Sequence, residues 1–224
     1  MIPYSSKNTK ILAFDVDGTI FSSENMIART YQSAIENYNM SNQMNIAIPD
    51  HNSIMLEIGK PVKTIFQNLL PHLAEIERDK ISDSILGLLC QKIQAGEGEF
   101  YEGVFTTIKA LHEKKYTLVL ASNGRAPYLD AITRFIGIHD FFQNKVTIDN
   151  FKIKTKGEIL LEYSKIFQVK PAEILMIGDR FSDYEAAVKA GSPFAFCAYG
   201  HAVKDEIPEY SLKLLKISDL LQYL

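Results

Sequence analysis

Short apolar runs, each closed by polar or small residues, recur along this chain. Ile11-Leu12-Ala13-Phe14 stops at Asp15, and Thr117 to Ala121 stops at Ser122-Asn123-Gly124. Ile174 to Ile177 stops at Gly178-Asp179, and Phe194 to Cys197 ends shortly before Gly200. Unbroken apolar runs of this length predict strands covered on both faces, as in a parallel sheet. Val146-Thr147-Ile148 predicts a further, shorter strand. Helical spacing fills the intervals: Val104 to Lys115, Tyr128 to Ile136, Gly157 to Phe167, and a helix from Ser182 that Gly191 should stop. Strands alternating with helices predict a doubly wound α/β core.

The stretch from about Ile20 to Glu99 has a different pattern. Met26 to Tyr38, Val62 to Leu70 after Pro61, and Ile81 to Ile93 all show helical periodicity, and no buried strand is evident. Gly96-Glu97-Gly98 suits a flexible return. The expected organisation is therefore a helical insertion over 21–99, placed directly after the first strand, in a core made of 1–20 and 100–224.

Composition narrows the function classes. A chain of 224 residues with 46% hydrophobic and 23% charged residues can bury a substantial core. A net charge of −3 supplies no general basic field for nucleic acid or acidic membranes. Cys90 and Cys197 lie far apart and form no ligand cluster, which fits a reducing cytoplasm. The polar start from Met1 to Lys10 lacks an apolar signal core, and no apolar run reaches the roughly 18 residues of a membrane span. A soluble cytoplasmic protein is expected, with no nucleic acid or membrane partner.

The candidate chemistry sits where the strand-like runs stop, the end of an α/β sheet at which ligands bind. In Asp15-Val16-Asp17-Gly18-Thr19, two carboxylates spaced by two residues face the same way in extended chain. One could attack phosphorus and the other move protons, or the block could be an acidic turn. Ser122-Asn123-Gly124 is either a cradle for phosphoryl oxygens or an ordinary strand-to-helix turn. In Lys154-Thr155-Lys156-Gly157, either lysine could neutralise a phosphate or lie on the surface. Asp179 and Asp183, four residues apart at a helix start, could hold Mg²⁺ or cap the helix.

The order of these four blocks resembles that of the haloacid dehalogenase-like hydrolase superfamily, over almost the whole chain. Asp15 to Thr19 looks like its first motif, Ser122 its second, Lys156 its third, and Gly178 to Asp183 its fourth. The insertion resembles the family's helical cap. Tyr128, Phe141-Phe142 and Ala186 to Gly191 look like the phosphoglycolate-phosphatase-like branch. The resemblance implies a Rossmann-like fold and Mg²⁺-dependent hydrolysis of a small phosphorylated metabolite. It implies that Asp15 is the nucleophile and Asp17 the acid and base, while Ser122, Asn123 and Lys156 hold the phosphoryl group. It further implies that Asp15, Asp179 and the Asp17 carbonyl bind Mg²⁺, with Asp183 supporting that shell. Lys156 is preferred to Lys154 because a helix is expected to follow it; many relatives have proline where this chain has Gly157.

A phosphomutase on the same scaffold and a non-catalytic binding protein are the alternatives. Gly59-Lys60-Pro61 reads as a helix boundary or as a cap motif facing the pocket. The five histidines show no ligand spacing and read as surface or packing residues.

Overall fold

The computed structural model describes residues 4–143, 146–148 and 153–224. The first apolar run forms β1 (Ile11–Phe14). A two-residue strand β2 (Phe21–Ser22) follows, then four helices: α1 (Glu24–Asn42), α2 (His51–Glu57), α3 (Val62–Leu69) and α4 (Glu75–Gln94). The chain returns through β3 (Glu99–Phe100), which pairs antiparallel with β2. Next come α5 (Val104–Glu113), β4 (Thr117–Leu120), α6 (Ala126–Phe135) and α7 (Lys156–Ile166). The chain continues through β5 (Ile174–Gly178), α8 (Phe181–Ala190), β6 (Phe194–Cys197), β7 (Leu212–Leu214) and α9 (Leu220–Tyr223).

The main sheet is parallel, in the order β4-β1-β5-β6-β7. Ile11 aligns with Thr117 on one side and Ile174 on the other, so β1 is interior and needs apolar residues at every position. Its alternate residues enter two cores. Leu12 and Phe14 join Leu118, Leu120, Leu175 and Ile177 in a core that continues among the helices of residues 24–94. Ile11 and Ala13 join Val119, Met176 and Phe194 under α7 and α8, with Ile159, Leu160 and Ala187. This two-sided cover is the doubly wound α/β architecture that the runs predict.

The expected strand at Val146-Thr147-Ile148 is absent; these residues form a loop. Val146 is buried, but its carbonyl accepts from the Tyr163 hydroxyl at 3.3 Å instead of joining a ladder. The free edge of β4 is met one segment earlier. Leu118 bridges to Phe142, and Gln143 N donates to the Leu118 carbonyl at 2.8 Å. Gly191 ends α8 in the left-handed conformation, as expected. Among the described residues, no helix is long and apolar enough to cross a membrane.

Candidate active site

The parallel strands end together, and their exit loops build one site. After Asp15 the chain turns back so tightly that the Val16 carbonyl accepts from the N–H groups of Thr19, Ile20 and Phe21 at 3.2, 2.8 and 3.0 Å. Gly18 has φ +76°, and a Cβ there would collide with the carboxylate of Asp179. The glycine thus lets the β1 exit loop press against the β5 exit loop. At Gly178, a Cβ would strike the carboxylate of Asp183.

Lys156 opens α7 next to the N-cap Thr155, whose side chain accepts from Glu158 N. Its ammonium lies 3.0 Å from Asp15 Oδ1 and 2.6 Å from Asp183 Oδ1, with all three side chains buried. The other Asp183 oxygen accepts from Asp179 N at 3.1 Å and Arg180 N at 2.9 Å. Asp183 is therefore saturated and fixes both the lysine and the β5 exit loop. Burial works against the charge on Lys156, but Asp15 and Asp183 outweigh it and raise its pKa.

Two buried carboxylate oxygens here have no hydrogen-bond partner: Asp15 Oδ2 and Asp179 Oδ1. Oxygens of Asp15, Asp179 and Asp183 lie within 4.8 Å of one another. Burial, and then the charges of Asp183 and Asp15, drives the Asp179 carboxyl well above its ordinary range. Orphaned oxygens on crowded acids fit a hard, oxygen-seeking divalent cation.

Asp17 faces a cavity bordered also by Asp15, Ser122, Asn123 and Tyr128. Its Oδ1 accepts from the Tyr128 hydroxyl at 2.8 Å and from Ser23 Oγ at 3.0 Å. Burial pushes its carboxyl up to about 6, with Asp15 adding and the two hydroxyl donors opposing. Ser122 Oγ accepts from Gly124 N at 3.2 Å. Asn123 is committed elsewhere: its Nδ2 donates to the Gly59 carbonyl at 2.8 Å, which leaves Oδ1 buried without a partner.

The structure thus brings Asp15, Asp17, Ser122 and Asn123 to one cavity, with Lys156, Asp179 and Asp183 against Asp15. Lys154 is not part of this cluster; its N–H donates to Glu158 at 2.6 Å. Gly59-Lys60-Pro61 fulfils both of its readings: Pro61 precedes α3, while Gly59 and Lys60 border the cavity. Three contributors escaped sequence reasoning. Ser23 bonds Asp17 from the residue before α1. Arg180 donates to the Ile58 carbonyl at 2.8 Å and pairs with Glu206 at 2.8 Å. His201, expected only on the surface or in packing, donates its main-chain N–H to Asp179 Oδ2 at 2.7 Å. Arg180 lies inside the fourth block and Ser23 four residues after the first, and that nearness is the one signal that points to them.

A family model described as haloacid dehalogenase-like hydrolase matches residues 9–191. The chain belongs to this family. It is 27% identical over 203 residues to a phosphoglycolate phosphatase of Vibrio vulnificus, covering 88% of this chain and 87% of that one. It is 25% identical over 220 residues to the pyrophosphatase PpaX of Anoxybacillus flavithermus, covering 97% of each. Its fold superposes on a crystal structure described as a predicted phosphoglycolate phosphatase from Haemophilus somnus. The TM-score is 0.83 at 20% identity, over 97% of this chain and 99% of that one. CbbY from Rhodobacter sphaeroides, solved in complex with phosphate, gives a TM-score of 0.80 at 17% identity, over 95% and 96%. In this chain the candidate site occupies the carboxyl end of the parallel sheet.

Proposed function

We propose that this protein hydrolyses a small phosphate monoester, with Mg²⁺, through a phosphoryl group carried on Asp15. The observation that carries this reading is the setting of Asp15. Its carboxylate lies between a buried ammonium and an unpartnered Asp179 oxygen, and it faces a cavity that also holds Asp17. Curated relatives named phosphatases, matched over most of their length, agree with it.

In the first step the Asp15 carboxylate attacks phosphorus, the bond to the leaving oxygen breaks, and Asp17 gives that oxygen its proton. In the second, water attacks the same phosphorus while Asp17 takes its proton. The bond to Asp15 then breaks and phosphate leaves. Dividing the reaction this way replaces one difficult displacement with two easier ones. The raised pKa of Asp17 favours the protonated form that the first step requires. Lys156 neutralises Asp15 and the incoming phosphoryl oxygens, and Ser122 with Asn123 borders the position they take.

Asp15, Asp179 and the Asp17 main-chain carbonyl are the proposed Mg²⁺ ligands, with Asp183 holding their surroundings. Bound there, Mg²⁺ supplies positive charge that offsets the repulsion between Asp15 and an anionic ester. We assign residues 21–99 as the cap and residues 1–20 and 100–224 as the catalytic core. The β2–β3 pair supports that division, since it joins the chain where it leaves for the helices and where it returns. Both cysteines are free, in keeping with a cytoplasmic setting.

The test is Mg²⁺-dependent phosphate release from an aryl phosphate, combined with acid-quench trapping of labelled protein. Asp15→Asn is expected to lose both turnover and label while retaining its circular dichroism. Full activity in that variant would remove Asp15 from the role of nucleophile.

A further inference from the structure

The cavity over Asp15 and Asp17 has walls that state what kind of leaving group fits. It has a volume of about 90 Å³. Next to the two carboxylates it is bordered by Ser122, Asn123 and Gly124, and farther out by the aliphatic Ile27, Ile58, Val62, Ile65, Ile85 and Leu89. Tyr31 and Phe66 border it as well, with rings stacked at 5.7 Å and tilted by only 2°. Ser82 also borders it.

Two cations reach the cavity, and both already have acidic partners. Lys60 lies 2.7 Å from Glu57 Oε1, and Arg125 lies 2.5 Å from Asp83 Oδ1. Glu57 is held further by Asn68 Nδ2 at 2.8 Å. A leaving group with its own carboxylate or phosphate would enter beside Asp17 and have to compete with Glu57 and Asp83 for these cations. Desolvating such an anion against aliphatic walls is costly. Desolvating an uncharged hydrocarbon there is favourable.

We infer that this cavity selects monoesters whose leaving group is an uncharged, apolar alcohol or phenol, of the size of a single ring or short branched chain. The inference rests on the phosphatase reading and deepens it by naming the substrate class. It separates this chain from relatives named for phosphoglycolate or pyrophosphate, whose leaving groups are anionic. Ile85, buried on α4 and bordering the cavity, is assigned as a specificity-determining residue.

The experiment compares kcat/KM for benzyl phosphate, 2-phosphoglycolate and pyrophosphate on the full chain with Mg²⁺. A single methylene in an apolar pocket discriminates by roughly 10–200-fold, so benzyl phosphate is expected to lead both anionic substrates by at least about tenfold. Ile85→Lys should narrow that ratio by lowering benzyl phosphate and raising phosphoglycolate. Inhibition of the wild-type chain by benzylphosphonate against phosphonoacetate gives the same discrimination should the variant fail to fold. Equal or better turnover of phosphoglycolate or pyrophosphate overturns the leaving-group assignment and leaves the phosphatase reading standing. Turnover of none of the three, nor of an activated aryl phosphate, removes the phosphatase reading and the assignment together.

Discussion

Replacing Asp17 by asparagine should make the metal-free protein more stable while disabling it. The carboxyl rises from 3.8 to about 6 in the fold, chiefly through burial. A rise of that size corresponds to a penalty of about 3 kcal/mol on the ionised form at neutral pH. Asp17 faces a cavity that admits water, which screens part of this, so about 1–2 kcal/mol is the working figure. Asparagine is neutral and keeps an Oδ1 able to accept from Tyr128 and Ser23, so the penalty is lifted without orphaning either hydroxyl. For a chain of this length, 1 kcal/mol moves Tm by about 2–4 °C, so a rise of roughly 2–8 °C is expected.

The pH dependence has a definite sign. A carboxyl with a raised folded pKa costs nothing while it is protonated in both states. The cost grows as pH climbs from 3.8 towards about 6 and is constant above that. Calorimetric unfolding of both proteins in chelator, from about pH 4 to about pH 8, should show the gap opening over that window and then holding. A variant less stable than wild type at neutral pH, or a gap independent of pH, refutes the reasoning. Turnover in the same variant should fall by about 10²–10⁴-fold, with Mg²⁺ affinity nearly unchanged.

Lys156→Met leaves two buried carboxylates, Asp15 and Asp183, without their cation. It should lose about 3–5 kcal/mol in denaturant unfolding, together with phosphatase activity. Tyr128→Phe removes a hydroxyl that holds the Asp17 pKa down. The alkaline limb of its kcat/KM profile, set by loss of the Asp17 proton that the first step requires, should therefore move to higher pH, and an unmoved limb would count against Tyr128 as a positioning residue. Burial works against the charge of Glu206, but the bond from Arg180 outweighs it and holds the carboxyl below its ordinary range. That pair stabilises the fold above the unfolded carboxyl range and loses this contribution as pH falls through the folded value. Arg180→Ala should therefore weaken the protein at neutral pH and flatten its acid-side loss in thermal unfolding.

The parts legible in the sequence are those fixed by near neighbours or by a two-sided core. Ile11–Phe14 and Ile174–Gly178 are apolar at nearly every position because each has a strand on both sides, and the runs say so directly. The Asp15 and Asp179 blocks stand at the ends of those runs. Val146-Thr147-Ile148 has strand composition too, but Tyr163 takes the Val146 carbonyl, a choice made by a residue seventeen positions away. β7 is only three residues long, with one side chain exposed, and leaves almost no pattern. Ser23 and Arg180 reach the site through hydrogen bonds whose partners only the fold brings near. No periodicity reports such pairings.

Three side chains just beyond the ends of β4 and β5 hold the helical segment of residues 24–94, and each grips it by main-chain carbonyls. Asn123 and Ser182 both donate to Gly59 O, at 2.8 and 3.1 Å, while Arg180 donates to Ile58 O at 2.8 Å and Met55 O at 3.4 Å. A carbonyl is present whatever side chain its residue carries. The fastening is therefore largely indifferent to side-chain identity at Met55 and Ile58, and Ile58 is one of the residues that shape the cavity. Substitutions in this stretch can reshape the cavity while these hydrogen bonds to residues 55–59 are kept. The shape of the substrate cavity and the attachment of the helical segment beside it can thus be altered separately.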